Sequence, residues 1–453
     1  MEEQILELIT EKKYSKLRSI LCETNPADIA QILEESTSME QLPVVFRILP
    51  KELAAETFVE MDSDLQEHLI STFSDAELKA VFDELFMDDT VDIIDEMPAN
   101  VAKRILKHTD PQTRKLINQI LAYPDDSAGS IMTTEFIDLK KSMTVEEAFD
   151  RIRKIGIDTE TIYTCYVTDR DRRLLGIVTV KDLLLSEKDR LIGDLMDENV
   201  IFAVTIDDRE EVVKLFDRYN LMALPIVDKE NRLVGIVTVD DAIDVIQEEV
   251  TEDIEKMAAI TPTDKSYFKT SVISIFKARI PWLMLLMLSA TFTGAIISSF
   301  EARLTVVPAL IAFIPMLMGT AGNSGSQSSV TIIRSISLGD IEFGDILRVL
   351  WKEIRVSVIC SVALSIVNFA KMWLVDYLLL KSFDSGKELL EITVVCISLG
   401  LTIIVAKIVG AVLPIFAKKI GWDPAVMASP FITTIVDAIS LAIYFGVATW
   451  LLI

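Results

Sequence analysis

The sequence predicts a multidomain membrane protein: a cytosolic α-solenoid, an α/β tandem pair, a linking helix and an all-α domain of five transmembrane helices. Three observations carry this. Helix-start signals recur every 24 residues in the first quarter, a strand–helix unit occurs twice in the second, and long apolar runs separated by basic loops fill the C-terminal part. The expected boundaries are 1–127, 128–247, 248–273 and 274–453.

Composition narrows the function. The 453 residues carry 69 acidic against 44 basic side chains, a net charge of −25. Nucleic-acid binding needs a basic footprint, so it is excluded; an acidic surface suits multivalent cations, or simply solubility. The four cysteines, Cys22, Cys165, Cys360 and Cys396, form no CxxC pair, and only His68 and His108 supply imidazole. Neither a disulfide framework nor a zinc site is indicated. The start, MEEQILELITEKKYSKL, lacks the basic end and apolar core of a signal peptide. The N-terminal half is expected to stay in the cytosol.

Residues 1–127 read as helix throughout. Asn25-Pro26-Ala27-Asp28, Leu49-Pro50-Lys51-Glu52, Phe73-Ser74-Asp75-Ala76 and Met97-Pro98-Ala99-Asn100 place a turn residue at 26, 50, 74 and 98. Each precedes an apolar helical run. Two short helices fit each step, and stacked steps make a solenoid. Asp88 and Asp92 share one helix face, which alone reads as solvated surface.

From about Ser130, short strands alternate with helices. Arg173-Leu174-Leu175-Gly176-Ile177-Val178-Thr179-Val180-Lys181-Asp182 recurs as Arg232-Leu233-Val234-Gly235-Ile236-Val237-Thr238-Val239-Asp240-Asp241. The run of Ile, Val and Thr is a buried strand, and the following aspartate opens a helix. The duplication resembles a tandem pair of cystathionine-β-synthase (CBS) domains. In that family the Thr and Asp hold an adenosine ribose, so the resemblance makes Thr179 and Asp182 nucleotide candidates. Strand packing and helix capping explain them equally well.

The helix leaving the second copy carries an apolar stripe, Ile243, Ile246, Val250, Ile254 and Met257. Opposite run Asp241, Asp244, Glu248, Glu252 and Glu255, widened by Glu249 and Asp253. Basic residues are nearly absent, so i,i+4 pairing is not expected to relieve the repulsion. Cation binding is favoured over a plain solvated face.

Spans are expected at 280–300, 305–333, 353–376, 391–417 and 425–453. Lys277 and Arg279, then Arg334, Arg348, Lys352 and Arg355, then Lys418 and Lys419 put three flanks inside. The loops at Glu301 and Arg303 and around Lys381 and Lys387 then lie outside, with Lys371 an imperfect fit. The C-terminus is expected outside. Gly319-Thr320-Ala321-Gly322-Asn323-Ser324-Gly325-Ser326-Gln327-Ser328 puts small and polar residues at membrane depth, where they must face protein or a watery cavity. Lys407 interrupts the fourth span, paired with Asp437 or lining an interface.

In the fifth span, Pro430 to Phe445 surround one carboxylate, Asp437, with Thr433 and Thr434 a turn earlier. An aspartate at mid-membrane costs roughly 2.5–3.5 kcal/mol on insertion scales. The default reading is a cation site in a membrane pathway. The bland one is a paired or hydrogen-bonded side chain.

This order of parts, with Gly322-Asn323-Ser324-Gly325-Ser326-Gln327-Ser328, Pro430 through Asp437, and Val239-Asp240-Asp241 running to Thr251-Glu252-Asp253, resembles the MgtE magnesium transporters. The resemblance implies a homodimer enclosing one Mg²⁺ pathway, with Asp437 and the carbonyl of Thr433 lining it. Where some members have Asn before the proline, this chain has Ser429, whose side chain is given no role. The family's regulatory Mg²⁺ sites carry over to Glu56, Asp88, Asp92, Glu210, Asp241 and Asp244. On the linking, or plug, helix they carry over to Glu249, Glu252 and Asp253, with Asp423 at the cytosolic mouth. Asn220 stands where some members have a regulatory aspartate. The implied activity is Mg²⁺ uptake through the cell membrane, suppressed by cytosolic Mg²⁺. It is transport without enzymatic turnover, with ATP as a modulator at most. The rivals are another divalent cation such as Co²⁺, and a membrane-anchored nucleotide sensor; polar residues inside spans two and five speak against a mere anchor.

Overall fold

In a computed structural model, which describes residues 2–157, 159–263, 267, 270–304, 308–379 and 388–452, the 24-residue step falls on helix starts. The chain divides into two compact units, Met1–Ile246 and Gln247–Ile453.

The first unit begins with α1 (Glu2–Thr10), α2 (Tyr14–Leu21), α3 (Pro26–Ser36), α4 (Leu42–Phe46), α5 (Lys51–Val59), α6 (Ser63–Thr72), α7 (Asp75–Phe82), α8 (Met87–Glu96), α9 (Ala99–His108) and α10 (Pro111–Ile120). The repeat positions open α3, α5, α7 and α9, and these helices pack in succession. Local chemistry fixes the starts. The Asn25 side chain caps α3 ahead of Pro26, and Ser74 and Glu77 close a reciprocal capping box on α7. Phe46, Phe58 and Phe73 pack edge-on or tilted, with ring centroids 5.5–6.4 Å apart, and join the steps into one core.

The duplicated segment forms two three-stranded sheets with the same order. In one, β1 (Asp138–Lys140) runs parallel to β2 (Thr164–Thr168), which pairs antiparallel with β3 (Leu174–Thr179). In the other, β4 (Ala203–Val204), β5 (Ala223–Val227) and β6 (Leu233–Thr238) repeat the pattern. Helices α11 (Val145–Ile155), α12 (Val180–Leu185) and α13 (Arg209–Tyr219) lie between. The two hairpin turns are built alike: Asp169 Oδ1 accepts from the amides of Asp171 and Arg173, and Asp228 Oδ1 from those of Glu230 and Arg232. Asn220 ends α13 in the left-handed conformation, φ 51°, which asparagine tolerates better than most residues.

Helix α14 (Val239–Met257) starts in the first unit and ends in the second. Ala242 and Val245 are buried, whereas Ile243, Ile246, Val250 and Ile254 stand exposed on the single chain. The expected apolar stripe is therefore largely uncovered within it.

The second unit continues with α15 (Val272–Leu304), α16 (Ile314–Ser337), α17 (Ile346–Lys371), α18 (Glu388–Lys419) and α19 (Ser429–Leu452). Among the described residues, four helical stretches, Val272–Phe300, Phe343–Val375, Leu389–Lys419 and Pro424–Leu451, are long and apolar enough to cross a membrane. Helix α16 is not among them, because its glycine, serine and amide run dilutes the apolar signal. It packs against both α18 and α19. The expected third loop, with Lys381 and Lys387, lies outside the described residues, as does the Ser429 side chain.

Candidate metal sites

In the first unit, carboxylates gather from four segments. Helix α8 contributes Asp88 and Asp89, the stretch before β1 contributes Glu135, the loop before β2 contributes Glu160, and the start of α14 contributes Asp240 and Asp241. Glu135 Oε2 accepts the Met87 amide at 2.8 Å and the Thr133 hydroxyl at 3.0 Å, tying α8 to the pre-strand segment. Thr238 donates to Asp241 Oδ2 at 2.6 Å. Asp88 is buried, against the solvated-surface reading of its helix face. Desolvation, reinforced by Asp241 and other carboxylates, pushes Asp88 well above the ordinary range. The same causes push Asp89 up to about 7 and Glu160 up to about 8. Asp241 and Asp244 are also raised, burial again first and the neighbouring Asp240 adding to it. Such a cluster has the donor set that a hard dication takes, oxygen only.

Other predicted residues lie apart from this cluster's buried part. Glu56, Asp92 and Asp244 are exposed. Glu210 pairs with Lys214 at 2.9 Å, one turn along α13. Among the described residues, no three His, Cys, Asp or Glu side chains converge as a ready-made metal shell. The arrangement suits an ion held by one or two carboxylates with its waters retained, as Mg²⁺ usually is. Thr179 and Asp182 close a capping box on α12, each accepting the other's amide at 3.2 Å. Helix capping is thus the role their hydrogen bonds display. Glu135, Asp89 and Glu160 escaped sequence reading because no spacing relates them.

In the second unit, the end of α14 corrects an expectation. Lys256 does relieve its acidic side, with Nζ 2.7 Å from Glu252 and 2.7 Å from Asp423 in the turn before α19. Burial pulls Lys256 down, but the hydrogen bonds to Asp423 and Glu252 outweigh it and hold the ammonium above its ordinary range. Asp253 accepts from Ser337 at the end of α16, 3.3 Å away. Glu249 lies half-buried on the same helix.

Asp437 is half-buried at the middle of α19. The hydroxyls of Thr433 and Thr434 both donate to the Pro430 carbonyl, at 2.9 and 3.1 Å, leaving the carboxylate to other partners. Opposite stands Gly322 of α16: a methyl there would sit 3.1 Å from Thr433 Cγ2 and 3.9 Å from Asp437 Oδ1. The glycine therefore lets α16 approach α19 closely at the level of the carboxylate. Asn323 and Gln327 lie on the exposed face of α16. Lys407 does not pair with Asp437. Its buried ammonium donates to Ser328 of α16 at 3.4 Å, and Ser328 donates to Glu353 of α17 at 2.7 Å. A bridged pair thus links three helices.

Known proteins resemble the chain along its whole length. The family profile described as the MgtE intracellular N domain matches residues 24–126, that of the CBS domain residues 128–188 and 192–248, and MgtE, described as a divalent cation transporter, residues 314–447. The magnesium transporter MgtE of Thermus thermophilus is 35% identical over 460 residues, covering 100% of this chain and 99% of the relative. That of Bacillus subtilis is 32% identical over 450 residues, covering 98% and 96%. A crystal structure of the cytosolic domain of the Mg²⁺ channel MgtE in complex with ATP aligns with a TM-score of 0.52 at 34% identity, covering 54% of this chain and 100% of that one.

Proposed function

The chain belongs to the MgtE family of magnesium transporters and carries Mg²⁺ across the membrane; we propose that the ion passes Asp437 and that the cytosolic carboxylates control the passage. The observation that carries this reading is the half-buried Asp437 carboxylate at the middle of α19, closely approached by Gly322 of α16.

Mg²⁺ sheds its waters reluctantly, so a carboxylate acting through them discriminates a dication without stripping it. The Thr433 carbonyl adds a neutral oxygen. Two copies related by a two-fold axis would set two Asp437 carboxylates across one pathway. The exposed amides of Asn323 and Gln327 support that dimer, since at bilayer depth they need protein or water. Helix α16 is taken as the second of five spans, and an odd number of spans with basic inner flanks leaves the C-terminus outside.

Regulatory Mg²⁺ would be held by Glu56, Asp88, Asp92, Glu210, Asp241 and Asp244, and by Glu249, Glu252, Asp253 and Asp423. A bound dication supplies the positive charge these carboxylates lack. Without it the ionised forms of Asp88, Asp89, Glu160 and Asp241 are disfavoured by burial and by one another, and the linking helix is freed as cytosolic Mg²⁺ falls. Such a switch requires that the ion favour the closed state. Thr179 and Asp182 are the proposed nucleotide contacts, with ATP tuning the switch.

The test is Mg²⁺ influx into liposomes with Mg²⁺ varied on the cytosolic side. We expect wild-type influx to be suppressed by cytosolic Mg²⁺, and Asp437→Asn to lower it by about tenfold or more, a barrier change of roughly 1.4 kcal/mol. Influx indifferent to the substitution would remove Asp437 from the pathway. Equal Co²⁺ influx would broaden the substrate.

A further inference from the structure

We propose that Lys256 is a built-in cation that docks the end of the linking helix at the mouth of the pathway, and so lowers the cytosolic Mg²⁺ needed for closure. The inference rests on the function proposed above.

Four contacts converge on the last turns of α14. Lys256 bridges Glu252 on its own helix and Asp423, both at 2.7 Å, with only 24% of its side chain exposed. The other oxygen of Asp423 accepts the Ala425 amide at 2.8 Å, which fixes the carboxylate to the turn leading into α19, the helix of Asp437. Met257, the next residue, packs against Ile333 of α16 and Ala425 and Ala428 beside α19. Asp253, one turn earlier, accepts from Ser337 of α16. The lysine thus sits amid a packed contact between the linking helix and the two helices that frame Asp437.

An ammonium is a point charge with three donors, enough to join two carboxylates. Glu252 and Asp423 would otherwise face each other as bare anions. Lys256 supplies this neutralisation in every state of the cell, because it is part of the chain. It therefore stabilises the docked arrangement by an amount that does not vary with Mg²⁺, and regulatory ions need supply only the remainder. Removing the charge shifts the equilibrium towards the undocked helix, and more Mg²⁺ is then required to restore closure.

The experiment uses full-length protein in liposomes, with each variant's influx normalised to its own value without cytosolic Mg²⁺. Lys256→Gln is expected to raise the half-suppressing Mg²⁺ concentration roughly fivefold, the lower end of usual coupling between linked sites. Lys256→Arg, which keeps the charge and both bridges, is expected to stay near wild type. A half-suppressing concentration unchanged in Lys256→Gln would overturn the proposal, and so would a lowered one, which would make the lysine a competitor of the metal. Hydrogen exchange of the Gln247–Met257 amides in metal-free protein supplies a second readout. Faster exchange in Lys256→Gln than in wild type and Lys256→Arg supports docking by the lysine, and equal exchange refutes it. If wild type carried no Mg²⁺, the transport reading would fail, while the exchange comparison would still judge the tether.

Discussion

Lys407 shows how a charge is kept at bilayer depth. Its ammonium reaches Glu353 only through Ser328, so the pair is bridged by a hydroxyl and is no direct ion pair. Breaking one side of a buried pair leaves the other charge uncompensated. We expect Glu353→Gln to lower the melting temperature in detergent more than the double variant Glu353→Gln, Lys407→Met. A double-mutant cycle should return a coupling of roughly 0.5–3 kcal/mol, and zero coupling would mean the three groups act independently. Sequence alone left Lys407 either paired with Asp437 or lining an interface, since Lys407 and Ser328 are 79 residues apart and only the packing of α16 on α18 joins them. Gly410 is as constrained: a methyl there would fall 2.2 Å from the Gly325 carbonyl oxygen. We expect Gly410→Ala to destabilise the protein by about 1–3 kcal/mol, whereas Gly294→Ala, with nothing within 4 Å, should leave the melting temperature unchanged.

Elements differ in how far the sequence announces them. The starts of α3 and α7 were legible because a cap is local chemistry, an Asn or Ser side chain meeting amides two or three residues on. The two sheets were legible from a repeated strand, and their registers shift at equivalent places, Val167/Thr168 and Ile226/Val227. Helix α14 was legible as a helix but not in its contacts. Its acidic side promised unrelieved repulsion, yet one lysine near its end serves both a neighbour on the helix and Asp423, 167 positions away by residue number. Helix α16 is the converse case. Its polar run was visible at once, while only the structure showed that Gly322 faces Asp437 and that Asn323 and Gln327 lie on the exposed face.

Across the molecule, a net charge of −25 is spread unevenly, and part of the acidity is buried. Composition gave the total; the gathering of Asp88, Asp89, Glu135, Glu160 and Asp241 depends on tertiary packing and had no sequence signal. It has a pH signature. Asp89 at about 7 and Glu160 at about 8 lie above their ordinary values of 3.8 and 4.5, chiefly through desolvation. A carboxyl raised on folding costs nothing while protonated and destabilises once it must ionise. Metal-free protein should therefore lose stability in the first unit as pH rises from about 4 through 8. Hydrogen exchange of α8 amides, corrected for intrinsic rates, should show faster opening across that window, and added Mg²⁺ should slow it. Protection that rises with pH would contradict the assigned shifts.

The meeting of Gly325 and Gly410 also has an electrical meaning. With no room for a methyl between α16 and α18, there is none for a water molecule either. At that crossing the two helices are sealed against each other, and no chain of water passes between Gly325 and Gly410 to carry a proton or small cation. The contact that holds α16 against α18 is thus also a local barrier to leakage between that pair of helices.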